Sequence, residues 1–204
     1  MLVLGLPRGG VPVAYEVAVA LGAPLDVFVV RKLGVPGHEE TAFGAIASGG
    51  VRVLDPFVIA QVQISDAAIE AVTRSERVEL EERERLYRPE RQFSSVAGRT
   101  VILVDDGIAT GASMYAAVRA LRQEGPAKIV VAAPVASADA ISLLSNVADE
   151  CVCVLMPALF HAVGLWYLDF DQTTNDEVRR LLRTARDRAT GSAVAGRSQL
   201  GADV

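Results

Sequence analysis

The sequence has few cysteines, few aromatic residues and no long apolar run. Its two cysteines, Cys151 and Cys153, form a CxC segment within an apolar stretch. On a strand, residues two apart share a face, and such close spacing disfavours an ordinary disulfide. We therefore expect two small buried thiols rather than a metal or redox pair.

Membrane and nucleic-acid partners are not expected. No apolar run approaches the ~20 residues of a membrane span, and the opening MLVLGLPRGG lacks the basic start and apolar length of a signal peptide. Lys and Arg number 20 against 25 Asp and Glu, which gives a net charge of −5, the wrong sign for nucleic acid or an anionic membrane. The sequence predicts a cytoplasmic protein whose cationic sites are local.

Hydrophobic residues make up 51% of the 204 residues, which is enough for one compact domain. Apolar runs alternate with helix-length segments, a pattern that predicts an α/β fold with a mostly parallel central sheet flanked by helices. We expect the domain over residues 1–188, a disordered tail over 189–204, and a solvated helix face in the charged segment 75–88. The predicted strands are 2–6, 26–30, 43–47, 51–54, 100–104, 129–134 and 151–155, and the predicted helices are 11–21, 65–88, 112–123, 138–146 and 175–188.

The segment VILVDDGIATGAS, residues 101–113, carries the clearest chemistry. A strand ends in Asp105 and Asp106, and a loop with two glycines and two hydroxyl residues then opens a helix. The free N–H groups of a helix start bind phosphate, and carboxylates accept hydrogen bonds from a ribose diol. An ordinary turn would not require two acids, two glycines and two hydroxyls in nine residues, so the segment predicts a ribose 5-phosphate site.

Two other phosphate motifs do not fit. A Walker A loop needs GxxxxGK, but Gly107 and Gly111 are four apart and Ala112 follows. A dinucleotide loop needs GxGxxG, which neither GIATG nor GLPRGG supplies.

The segment resembles the signature of type I phosphoribosyltransferases, which bind phosphoribosyl pyrophosphate (PRPP). The resemblance implies that Asp105 and Asp106 hold the ribose hydroxyls, take part in catalysis and bind Mg²⁺. It also implies a set of residues that surround the 5′-phosphate: Gly107, Ile108, Ala109, Thr110, Gly111 and Ser113.

GLPRGG, residues 5–10, resembles the pyrophosphate loop of that family, with Arg8 and Gly9 as binding residues and a cis peptide between Pro7 and Arg8. Arg31 and Lys32 resemble a cationic pair of the adenine enzymes, and the resemblance implies that they also bind pyrophosphate. Adjacent side chains on a strand point apart, so both can serve one site only if the strand has ended before them.

A flexible lid is expected over residues 34–42. Hypoxanthine-guanine enzymes carry an acid where this chain has Ala109, whereas adenine enzymes use a glutamate of the flexible loop, which makes Glu39 or Glu40 the candidate for proton transfer. His38 is expected to be simply hydrated.

Four of the eleven aromatic residues fall within residues 160–170. The segment resembles the hood, over about 156–172, of purine phosphoribosyltransferases. The resemblance implies base binding by Phe160, Val163, Gly164 and Trp166, and metal binding by Asp169. The alternative is that the aromatic residues pack the sheet edge as core.

The resemblance implies a magnesium-dependent transfer of phosphoribosyl from PRPP to a nitrogen acceptor, favouring a purine-like base, and it is compatible with a homodimer. A helix usually precedes the first strand in this family, so a start truncated at Met1 is expected. Two alternatives stay open: a PRPP- or nucleotide-sensing protein without catalysis, supported by Ala109, and a scaffold that uses the charged helix.

Overall fold

The computed structural model describes residues 1–89 and 93–199, with side chains described as far as Ala189. A five-stranded parallel sheet lies at its centre in the order β2-β1-β6-β7-β8. The predicted α/β class is confirmed. These strands are β1 (Leu2–Gly5), β2 (Leu25–Val27), β6 (Thr100–Val104), β7 (Lys128–Val135) and β8 (Glu150–Leu155).

The central sheet buries apolar side chains on both faces because successive residues of a strand point to opposite sides. Leu2 and Leu4 belong to one core cluster, together with side chains of α4 and α5, whereas Val3 belongs to a second cluster with α1, α3 and α6. The described residues form six α-helices: α1 (Gly10–Leu21), α2 (Pro56–Val62), α3 (Asp66–Tyr87), α4 (Ala112–Gln123), α5 (Ala138–Leu144) and α6 (Asn175–Gln199).

A separate antiparallel sheet contains β3 (Val30–Val35), β4 (His38–Ala47) and β5 (Val51–Leu54). The predicted strand 26–30 is therefore wrong as one element, because the chain passes from β2 in the central sheet to β3 in this second sheet. The predicted loop 34–42 is also largely β-structure: β3 and β4 form a hairpin that turns at Pro36 and Gly37. Residues 38–41 are exposed and polar, so the apolar alternation that identifies a strand is missing there.

The charged segment 75–88 is not only a solvated face. Arg88 is 5% exposed and its Nε lies 2.9 Å from Oδ1 of the fully buried Asp26. The hydroxyl of Ser94 donates to the other carboxylate oxygen of Asp26. Arg88 also donates to Oε1 of Glu84 at 2.9 Å, so the buried pair is satisfied by local and distant partners together.

Three further predictions can be compared with the fold. The prediction missed α2, whose N-terminus is capped by the Asp55 carboxylate. The last helix continues to Gln199 rather than ending at Arg188, and residues 200–204 of the predicted tail lie outside the described residues. Cys151 and Cys153 are free and half-buried, so they are more exposed than predicted because β8 is an edge strand.

Within the described part of the chain, the helices are all too short or too polar to cross a membrane.

Candidate active site

Asp105 and Asp106 directly follow β6, at the carboxyl edge of the central sheet. This is where parallel α/β sheets bind ligands. The amide of Asp105 donates to the Ala132 carbonyl at 3.2 Å, and the amide of Asp106 donates to Oδ1 of Asp105 at 3.0 Å. The two carboxyl groups are thus fixed in position by the neighbouring strand and by their own backbone.

The surroundings of the acid pair disfavour two negative charges. Burial, reinforced by the neighbouring Asp106 carboxylate, raises the pKa of Asp105 to about 7. Burial also raises the pKa of Asp106. Such raised values indicate carboxylates arranged to meet hydrogen-bond donors or a cation that the protein alone does not supply.

The loop after the acids is anchored at one side and open at the other. Ile108 is buried and its amide donates to the Val135 carbonyl, while the Ser137 hydroxyl donates to the Ala109 carbonyl at 2.6 Å. Thr110 and Ser113 are exposed at the start of α4. The residues predicted to surround the 5′-phosphate therefore have different roles. The Ile108 side chain belongs to the core, and only its backbone can face a ligand.

Gly111 has a φ of +77°, in the left-handed region that favours glycine. A Cβ there would also lie 3.3 Å from the Cβ of Ala140. Gly111 thus connects the loop to α4, and the first amides of the helix face the loop.

The GLPRGG loop crosses directly over the acid pair. A Cβ added at Gly9 would lie 1.8 Å from Oδ2 of Asp106, and one added at Gly10 would lie 2.6 Å from the Val104 carbonyl oxygen. Only glycine permits this approach. The predicted cis peptide between Pro7 and Arg8 is present. The structure therefore brings together the acid pair and the loop predicted to bind pyrophosphate.

Arg31 and Lys32 lie within β3, which does not end before them. Arg31 donates from Nε to Oε2 of Glu76 on α3 at 2.7 Å, and Lys32 lines a pocket with Tyr115 and Arg119 of α4. Their side chains thus follow the alternation of a strand, although both also border a cleft that reaches Ser113. Sequence reasoning missed Glu76, for which the only available signal was the charge pattern of its helix.

Glu39 and Glu40 are adjacent on β4, in the part where its pairing with β3 is irregular. Glu39 lines the cleft of about 640 Å³ that also contains Arg31, Glu76 and Ser113, and Glu40 is not among its lining residues. Both glutamates and His38 are exposed. Of the two candidates for proton transfer, only Glu39 is placed on the side of the phosphate loop.

The hood segment touches the acid turn through residues that the sequence prediction only partly included. The Tyr167 hydroxyl donates to the Asp106 carbonyl at 2.5 Å, and burial together with the two acids raises the pKa of Tyr167 to about 12. A Cβ on Gly107 would lie 2.4 Å from Cγ1 of Val163. Clustered aromatic residues were the signal for Tyr167, which had not been assigned to the site.

The other hood residues have less contact with the protein. Trp166 is 42% exposed and Phe160 is half-buried. A Cβ on Gly164 would lie 2.7 Å from the Phe170 ring, which packs against Tyr167 with 5.0 Å between ring centres. Most of the cluster is therefore not sheet core, because these side chains are partly exposed.

The acid pair fits Mg²⁺ only as part of a ligand-bound site. Among the described residues no three His, Cys, Asp or Glu side chains are grouped for metal binding, so exposed Asp169 does not form a cluster with Asp105 and Asp106. Mg²⁺ is commonly held by one or two carboxylates together with substrate phosphates. Two partly buried carboxylates with raised pKa values match that donor set.

Comparison with known proteins agrees with this geometry. The model of the phosphoribosyl transferase domain matches residues 1–164, so the chain belongs to the phosphoribosyltransferase family of type I. Proteins from two strains of Mycobacterium tuberculosis, provisionally named phosphoribosyl transferases, are 49% identical over 195 residues, or 95% of this chain. The chain spans 44% of the length of these relatives.

A solved structure is similar over most of its length. The crystal structure of the protein TT1426 from Thermus thermophilus has 47% sequence identity and a TM-score of 0.81, covering 89% of this chain and 86% of that one.

Proposed function

We infer that this chain catalyses the transfer of a phosphoribosyl group from PRPP to a nitrogen acceptor, with release of pyrophosphate. The observation that carries this proposal is the contact between Gly9 and the Asp106 carboxylate. It joins the loop proposed for pyrophosphate to the acids proposed for ribose. PRPP carries pyrophosphate on C1 and the ribose hydroxyls on C2 and C3, so the loops that bind them must lie side by side.

The proposed residues act mainly by positioning. Asp105 and Asp106 accept hydrogen bonds from the ribose diol, and the backbone at Gly107–Ser113 binds the 5′-phosphate. The GLPRGG loop and Arg8 bind pyrophosphate. In this proposal, C1 is only weakly bonded to the leaving pyrophosphate and to the acceptor at the transition state. Catalysis therefore consists of orientation and charge stabilisation, with no covalent enzyme intermediate.

Asp105 and Asp106, together with PRPP oxygens, would hold Mg²⁺, which would supply positive charge against the charge of the leaving pyrophosphate. Without a ligand, burial and the neighbouring Asp106 carboxylate raise the pKa of Asp105 to about 7, and a bound cation or diol would shift this group toward its charged form.

The acceptor is proposed to be a flat, purine-like base. The hood supplies an aromatic side chain at Trp166 and a backbone step at Val163 and Gly164 beside the acid turn, and flat heterocycles bind by stacking and edge contacts. Glu39 is the proposed acid/base group for the acceptor nitrogen.

The test is pyrophosphate release from PRPP and Mg²⁺ across a panel of purines, pyrimidines and small amines. We expect turnover with at least one purine-like base. The double variant Asp105→Asn with Asp106→Asn is the control and should be inactive. PRPP binding in calorimetry without turnover on any acceptor would instead support a PRPP-sensing protein. Absence of PRPP binding would overturn both functions.

A further inference from the structure

A second pocket lies between the antiparallel sheet and α4, with a volume of about 310 Å³. From α4 it receives Ala112, Tyr115, Ala116 and Arg119. This spacing of i, i+3, i+4 and i+7 defines one face of a helix. The pocket contains neither acid of the pair and no residue of the GLPRGG loop.

The opposite wall is apolar and made largely of small residues. Ala45 on β4 and Val53 on β5 are paired across the strands and both line the pocket, as does Ala42. With Ala112 and Ala116 on the helix, the short side chains leave open space rather than a packed interface. Its size and apolar lining are those of a site for a small organic molecule.

The charged groups at the pocket favour an anion. Lys32 and Arg119 both line it, and neither forms an ion pair or side-chain hydrogen bond with any residue described. Arg119 lies over the Tyr115 ring, 5.9 Å from its centre. The carboxylate of Asp55 also lines the pocket, but it accepts hydrogen bonds from the amides of Phe57 and Val58 as a helix cap. Two cations therefore face the apolar space with one carboxylate that is already engaged.

We propose that this pocket binds a small amphipathic anion, an apolar carboxylate or sulfonate, with its apolar body between Ala45, Val53 and Ala116 and its charged group at Arg119. The occupant would contact α4 one residue after Gly111, and Lys32 beside Arg31. It would therefore touch two of the elements that border the PRPP site without occupying that site.

The experiment uses two fluorescent probes of similar shape, anionic 8-anilinonaphthalene-1-sulfonate and neutral N-phenyl-1-naphthylamine, titrated with the full chain. Ala116→Leu fills the pocket, and Ala67→Leu on the exposed face of α3 is its control. Arg119→Gln removes the cation, and Arg77→Gln on α3 is its control. Octanoate serves as a non-fluorescent competitor.

We expect Ala116→Leu to abolish saturable binding of both probes and Arg119→Gln to weaken only the anionic probe, by roughly fivefold to tenfold. Octanoate should displace the anionic probe from the unchanged chain. The controls should bind as the unchanged chain does. Binding unaffected by Ala116→Leu would place the probe elsewhere, for example on the exposed hood, and overturn the site. Equal loss of both probes in Arg119→Gln would overturn the anionic class. If Ala116→Leu does not fold by circular dichroism, the Arg119→Gln probe pair decides alone.

Discussion

The acid edge of the central sheet and the hairpin of the second sheet hold the two halves of the proposed site in different ways. At the acid edge, backbone contacts fix every element: Gly9 touches Asp106, Gly107 touches Val163, and Ile108 is bound to β7. The hairpin residues 36–41 are exposed, and in the register of β3 with β4 only His38 of these has a partner, Val35. Substitutions at the acid edge should therefore abolish function, whereas hairpin substitutions should reduce it.

The largest effect is expected from Asp105→Asn combined with Asp106→Asn. Amides keep the volume but lose the charge that strengthens hydrogen bonds from the ribose diol, each worth ~1.5–3 kcal/mol. We expect a loss of at least about 100-fold in kcat/KM with an unchanged circular dichroism spectrum. Unaltered PRPP binding in calorimetry would refute the ribose assignment.

Gly9→Ala should have the next largest effect on activity. Its Cβ would overlap Oδ2 of Asp106, so the loop or the acid must move, and a displacement of about 1 Å can cost ~100-fold in rate. Gly37→Ala is the matched control. A side chain at Gly37 is strained by its φ of +78°, but no atom lies within 4 Å of the added Cβ. Steady-state kinetics of the two variants compare the regions directly, and equal losses would contradict the contrast.

The raised pKa of Asp105 predicts a pH-dependent cost in stability. Because its folded-state pKa of about 7 exceeds the ordinary value of 3.8, the native state holds the proton more tightly than the unfolded state. The stability contributed by this group is full below pH ~4 and is lost as the pH rises through 7, by up to ~4 kcal/mol. Urea unfolding without ligand should show Asp105→Asn gaining stability relative to the unchanged chain between pH 5 and 8. Parallel curves for the two proteins would exclude this cause.

On the hairpin, Glu39→Gln should lower kcat by about 10- to 100-fold, at or below the low end of the usual ~10²- to 10⁴-fold acid/base contribution, because Glu39 is exposed. Glu40→Gln, one residue away but not lining the cleft, should change kcat less than twofold. Rates measured for both variants across pH 5–9 make the test. Similar rates for the two would remove Glu39 from proton transfer.

The smallest effect is expected from Glu76→Gln, which keeps the shape of the partner of Arg31 but removes its charge. The pair is partly exposed, so its own energy is small, ~0–1 kcal/mol. We expect KM for PRPP to change by up to about fivefold with kcat retained. Glu79→Gln, on an exposed part of α3, is the control, and a large fall in kcat for Glu76→Gln would assign Glu76 a direct role instead.

Local sequence patterns are sufficient to predict the class of fold and the acid edge. Alternating apolar runs predict the parallel sheet, and the residues from Asp105 to Ser113 form their loop from a strand end and a helix start that are contiguous in the chain. The GLPRGG loop was predictable as the connection between β1 and α1, which are contiguous in the chain. The close approach of Gly9 and Gly10 to residues 104–106 is a long-range contact.

The hairpin and the contacts between distant segments depend on long-range packing. Residues 38–41 are polar on both sides of β4, so nothing local distinguishes them from a loop. Glu76 binds Arg31 from 45 residues away, and Tyr167 binds the Asp106 carbonyl from 61 residues away. In the sequence, Glu76 is part of an ordinary charged helix face and Tyr167 one of several clustered aromatics. Such partners are selected by the packing of α3 and the hood around the sheet, a long-range effect that local periodicity does not encode.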